Sequence, residues 1–193
     1  MISKIDRVYR KYDAFVRICQ GDLFEDFTYP VWTSIEDGKI RIVELEIPFL
    51  FILTQDCDLE SDHRNRATPS EKQDAHLHHI LVCPAYPGEK VKKGTHLKDL
   101  DLKMEYQNSN KWNEIIKNNN PRYHYIPEYE DYNLTDLAID FKHYYSIPRD
   151  ILYSKHGDHY KASLNELFRE SLSHRFAYYL SRIGLPEFRC EEP

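Results

Sequence analysis

Apolar residues fill positions 49–53 without a break: Phe49, Leu50, Phe51, Ile52 and Leu53. A short apolar run without alternation predicts a strand covered on both faces. Thr54 and Gln55 then bring the chain to the surface, where Asp56, Cys57 and Asp58 follow as an acidic loop. A polar loop at the end of a core strand is a common mount for function. Upstream, residues 40–47 alternate largely apolar with charged, the pattern of a half-exposed strand. Gly38, in Glu36-Asp37-Gly38-Lys39, predicts the hairpin turn before it, and Pro48 predicts a break after it. Gln20-Gly21-Asp22-Leu23-Phe24 reads as a turn entering the first strand of a barrel. Ile5, Val8, Tyr9, Tyr12, Phe15 and Val16 fall at helical spacing, which predicts a helical extension over 1–19.

Beyond the central strand, residues 60–75 are polar throughout and read as a mobile surface loop. Strands are predicted over 79–84, 122–126 and 137–141, with 143–147 continuing the last of these. Between them, the lysine- and asparagine-rich stretch 88–120 reads as an insertion carrying one helix over 110–117. The C-terminal helix is predicted over 163–184, with Ser163 and Glu166 as a capping box. Its apolar stripe is Leu164, Leu167, Phe168, Leu172, Phe176, Tyr179, Leu180 and Ile183, and Gly184 and Pro186 stop it. No repeat or linker divides the chain. The prediction is one α+β domain over 1–193: a small antiparallel barrel over 20–152, the insertion 88–120, and the long helix.

Composition narrows the function classes. The 193 residues carry a net charge of −6, so wholesale electrostatic capture of nucleic acid is not expected, although a local basic strip can bind it. No apolar run reaches bilayer length, and residues 1–7 lack the apolar centre of a signal peptide, so a cytoplasmic protein without membrane contact is expected. Cys19, Cys57, Cys83 and Cys190 show no CxxC pairing and are expected to be reduced thiols. The six glycines are scattered singly, which disfavours a phosphate-cradling loop.

Gly21-Asp22-Leu23, the strand at 49–54, Leu81-Val82-Cys83-Pro84, Ile139-Asp140-Phe141 and the segment 147–152 together resemble the MazF/PemK/Kid family of toxin endoribonucleases. The resemblance covers about half the chain and implies an SH3-like barrel with a terminal helix. Thr54-Gln55-Asp56-Cys57-Asp58-Leu59, with Arg122-Tyr123-His124-Tyr125-Ile126-Pro127 and Arg182-Ile183-Gly184-Leu185-Pro186, is similar to uncharacterised bacterial proteins with a Ser/Thr-Gln-x-Cys-Asp-Leu motif. The toxin family carries an Arg-Pro pair before its core strand and Thr or Ser after the proline ending the next one. Here those places read Ile47-Pro48 and Ala85-Tyr86. A metal-free ribonuclease needs a cation for the developing phosphorane and a group that moves protons. Arg122 or Arg41 would have to supply the cation, and His124 the proton transfer.

Several side chains carry candidate chemistry. Cys57 reads either as a thiol nucleophile needing His79 or His124, or as a buried structural cysteine whose flanking aspartates cap the turn; those aspartates disfavour the thiolate. No cofactor is expected, but His76 and His78 on one strand face, with Cys57, would offer three zinc ligands; the other reading is a surface histidine cluster. Lys90, Lys92, Lys93, Lys98, Lys103 and Lys111 lie among Tyr86, Tyr106 and Trp112, but nearly as many acids intervene, as on a solvated face. The tyrosine-rich block at 122–132, with His143, Tyr144 and Tyr145, suits either binding or strand packing.

These readings lead to a cytosolic bacterial binding protein of toxin–antitoxin or phage-defence type, the setting being implied by the resemblance. It is expected to contact protein or RNA near Cys57, Arg122 and His124, with Asp56, Asp58, Tyr123, Tyr125, Tyr144 and Tyr145 as contact residues. The alternatives are a metal-independent endoribonuclease using Arg122 and His124, and a hydrolase dependent on Cys57 or on metal.

Overall fold

The computed structural model describes residues 7–11, 17–68 and 73–182. Its centre is a long hairpin of β2 (Asp22–Glu36) and β3 (Lys39–Ile52). Asp37 and Gly38 both take positive φ, 51° and 74°, as the two-residue turn between right-twisted strands requires. Pro48 does not break β3. It faces Asp26, whose φ is +52°, between the Glu25–Phe49 and Phe27–Ile47 pairs, so a local distortion of β2 accommodates the imino acid.

The remaining elements are β1 (Tyr9–Arg10), α1 (Asp56–Arg66), β4 (His79–Pro87), α2 (Gly88–Lys93), α3 (Ser109–Ile116), β5 (Tyr123–Ile126), β6 (Leu137–Asp140), β7 (Tyr145–Pro148), α4 (Arg149–His159), β8 (Tyr160–Leu164) and α5 (Glu166–Leu180). The eight strands of the described residues join one antiparallel sheet in the order β1-β8-β2-β3-β4-β6-β5, with β7 on the first half of β4. The path does not close on itself. The architecture is therefore α+β around an open sheet, with a terminal helix.

The strand at 49–53 is buried on both faces as its run predicts. Phe51 and Leu53 pack with Leu23, Phe141, Leu172 and Phe176 under α5, whereas Leu50 and Ile52 pack with Phe24, Ile80 and Leu152 under α4. A third cluster, of Tyr86, Val91, Leu97, Trp112 and Tyr123, seats the insertion on the sheet. The helix expected in that insertion is present as α3, where Asn108 caps it by accepting from the Lys111 N–H.

Five expectations are corrected. Tyr9 and Arg10 are a short strand paired with Leu164 and Ser163, so the 1–19 extension is not helical there; residues 1–6 and 12–16 lie outside the described residues. Residues 56–66 form a helix, where 60–66 were read as loop, because buried charge replaces an apolar stripe. Asp62, 1% exposed, accepts from Arg66 Nε at 2.7 Å, Arg149 Nε at 2.5 Å and the Leu77 N–H at 2.8 Å. Residues 145–148 do not continue β6; a 3-10 turn at Phe141–His143 sends the chain to the other half of β4. Ser163 is no helix cap: it lies in β8 paired with Asp22, and α5 begins after Asn165. Within the expected stripe, Leu167 and Leu180 are exposed while Leu172 and Phe176 are buried. The stop at Gly184 and Pro186 lies outside the described residues.

Candidate functional site

The 3-10 turn that ends β6 builds the most connected polar centre. Asp140 closes an apolar strand and its side chain is fully buried. Arg122, just ahead of β5, donates Nε to Oδ1 at 2.8 Å and Nη2 to Oδ2 at 2.6 Å, the two-pronged geometry a guanidinium offers a carboxylate. The turn brings His143 back three residues later, placing its Nδ1 3.0 Å from Oδ2, while the Lys142 N–H donates to Oδ1 at 3.1 Å. His96, from the insertion, places Nε2 3.7 Å from Oδ2. Burial acts to raise the Asp140 pKa, but bonding to Arg122, His143 and His96 holds it well below the usual carboxylate range. Asp140 is thus an anion with three cationic or imidazole neighbours.

His143 is the exposed imidazole of this set, 22% exposed; in the tautomer whose Nδ1–H donates to the carboxylate, Nε2 keeps its lone pair. Arg122, 21% exposed, lies over the Tyr123 ring at 4.9 Å. Tyr144, next to His143, is 44% exposed and meets Phe176 edge-on. A partly open cation and an imidazole therefore share one buried carboxylate at this corner of the fold, with an exposed aromatic next in sequence.

The expected contact residues divide. Arg122, Tyr123 and Tyr144 belong to this corner. His124 does not: β5 alternates, so Tyr123 joins the cluster under the insertion while His124 turns to the other face, against Phe141. Burial, then the charge of Arg175, lowers the His124 pKa to about 3, and its Nδ1 has no hydrogen-bond partner. A group held neutral in the interior is ill placed to move a substrate's proton; the partly exposed imidazole nearby is His143. Tyr125 is half-buried against Trp112, and burial followed by Asp136 raises its pKa to about 12. Tyr145 is half-buried in β7, paired with Val82.

The acidic motif is the opening turn of α1 rather than a loop. Thr54 Oγ1 accepts from the Leu81 N–H at 2.7 Å, and Leu59 enters the core. Asp56 accepts from Arg17 Nη1 and Nη2 at 3.0 and 2.9 Å and from the Gln20 N–H at 3.1 Å. Burial works against that charge, but the Arg17 and Gln20 bonds lower its pKa. Cys57 and Asp58 project into solvent. Cys57 is therefore not the buried structural thiol, and among the described residues its sulfur has only Gln55 and Asp58 in reach, neither His79 nor His124. His76 and His78 precede β4 rather than sharing a strand face, and no group of three His, Cys, Asp or Glu side chains among the described residues is gathered to hold a metal.

Asp140 and His96 were given no functional role by the sequence reading, and His143 entered it only as a member of the tyrosine-rich block. The available signal was a carboxylate in an otherwise apolar strand, with a histidine three residues on. Among the described residues, no helix is long and apolar enough to cross a membrane. No protein-family model matches the chain, and no curated protein matches its sequence.

Proposed function

We propose that the chain is a cytoplasmic bacterial binding protein of toxin–antitoxin or phage-defence type, its sheet an open, elaborated SH3-like barrel. It contacts RNA through the corner around Asp140. The observation that carries this reading is the pairing of His143 with buried Asp140 beside Arg122. Arg122 suits a backbone phosphate, His143 Nε2 can accept from a ribose 2′-hydroxyl, and exposed Tyr144 offers a stacking face for an unpaired base. The test is fluorescence anisotropy with single-stranded RNA in EDTA. Tyr144→Ala and His143→Ala should each weaken binding about tenfold while leaving the fold unchanged, since one stacked base contributes about 1–3 kcal/mol. RNA binding that ignores both substitutions, or no binding at low salt, refutes the reading.

A second reading, metal-independent RNA cleavage, is favoured by the same pair. His143 Nε2 would accept the proton of the ribose 2′-hydroxyl as that oxygen attacks phosphorus, and Arg122 would stabilise the phosphorane; the P–O5′ bond then breaks, giving a 2′,3′-cyclic phosphate, and the departing 5′-oxygen takes a proton from solvent. It requires product formation in EDTA that His143→Ala abolishes; RNA bound but never cut leaves the binding reading alone. Away from the face near Cys57, Arg122 and His124 where a contact was expected, the β2–β3 arm also offers an apolar surface for a protein partner, with Ile35, Ile40 and Ile42 77%, 73% and 57% exposed. Ile40→Glu should release any partner that co-purifies in stoichiometric amount.

A further inference from the structure

A cavity of about 670 Å³ opens between the root of the hairpin arm and the segment that follows α2, within the size range of small-molecule sites. Its floor is apolar: Leu45 and Ile47 from β3, Leu97 from the insertion, and Tyr86 from β4, all buried. Its rim is charged with opposite signs on opposite sides. Asp26 and Glu46 stand on the sheet side, and Lys90 and Lys98 on the insertion side, with Asp99 leaving that wall two cations against one anion.

Among the described residues these rim charges have no ion-pair partners. Nearby Lys93 and Lys111 are paired with Glu89 and Glu105, but no ion pair among the described residues uses Asp26, Glu46, Lys90 or Lys98. His96 also lines the cavity; its side chain is 1% exposed, it lies between Tyr86 and Tyr123, Nε2 faces Asp140 Oδ2 at 3.7 Å, and Nδ1 makes no hydrogen bond. A buried imidazole with an unsatisfied Nδ1 next to a cavity is what a polar ligand would complete.

We propose that this cavity binds a zwitterion with an apolar middle, a free short peptide or an amino acid. The ammonium faces Asp26 and Glu46, the carboxylate faces Lys90 and Lys98, and the apolar side chain rests on the floor. A space of this volume is roughly 9 Å across, and an extended residue adds about 3.5 Å, so a tripeptide spans it better than a single amino acid. The inference does not depend on RNA binding at the Asp140 corner.

Isothermal titration of the purified chain with three probes tests it: alanyl-leucyl-alanine with free ends, the same peptide acetylated and amidated, and free leucine. The free-ended peptide should bind one-to-one and saturably, and capping both ends should weaken it at least about tenfold. Lys98→Glu and Glu46→Lys, at exposed positions that leave the fold intact, should each weaken it by a similar factor. Leucine binding weaker than the tripeptide identifies the peptide source, and tighter binding identifies the amino acid. No saturation at about 10 mM, equal binding of the capped peptide, or indifference to both charge reversals overturns the proposal.

Discussion

Asp22 opens β2 with its carboxyl sealed from water, 1% exposed, and provides the sharpest test of how this fold handles buried charge. Oδ1 lies 2.5 Å from Ser163 Oγ, Oδ2 accepts from the Cys19 N–H at 2.7 Å, and His156 Nε2 is 4.0 Å away. Burial raises its pKa from 3.8 to about 7, against the opposing effect of the Ser163 and Cys19 bonds; nearby Asp56 raises it further, and Arg17 opposes. His156 gives little help as a counter-cation, because burial lowers its own pKa. At about 1.4 kcal/mol per pH unit, a difference of about three units means the native state favours the protonated acid by about 4 kcal/mol. The sign follows from linkage. The native state binds this proton more tightly than the unfolded chain, so the contribution is complete below about pH 4 and is lost as pH rises through about 7. Asn at this position imitates the protonated acid, donating to Ser163 Oγ and accepting from the Cys19 N–H. Urea unfolding of wild type and Asp22→Asn at intervals between about pH 5 and 8 should show the variant gaining on wild type as pH rises, by about 2–3 kcal/mol, the remainder having been lost below about pH 5. Parallel profiles, or a wild type that gains on the variant over this range, would refute a buried, reluctantly ionised Asp22.

Two further consequences are open to measurement. Asp62→Ala should strip the buried partner from Arg149 and Arg66 and free the Leu77 N–H, costing about 3–5 kcal/mol, with faster amide exchange in 73–79 than elsewhere; a cost under about 1 kcal/mol would show that those charges are solvated instead. Native-state thiol titration should modify exposed Cys57 first and leave Cys83 unreacted until unfolding, since Cys83 is fully buried and burial pushes its pKa up. Cys57 reacting no faster than Cys83 would contradict its position on α1.

The sequence by itself determined those elements whose burial is written in apolar periodicity. The strand at 49–53, the 36–39 turn, the helix at 109–116 and most of α5 follow from short-range rules, in which each residue's face is decided by its immediate neighbours. Tertiary structure alone decided whatever is stabilised by charge at long range. α1 carries almost no apolar stripe and is a helix because Asp62 meets Arg149, 87 residues further on. Ser163 leaves its capping role because Asp22, 141 residues earlier, takes its hydroxyl. The candidate site follows the same logic. Arg122 and Tyr144 were visible as a cation and an aromatic in a suggestive block, but choosing His143 over His124 required knowing which face of β5 is buried and where the turn after Asp140 returns the chain. Periodicity encodes which side of an element is dry; it does not encode which buried acid a distant histidine will meet, because that contact exists only once the sheet has assembled.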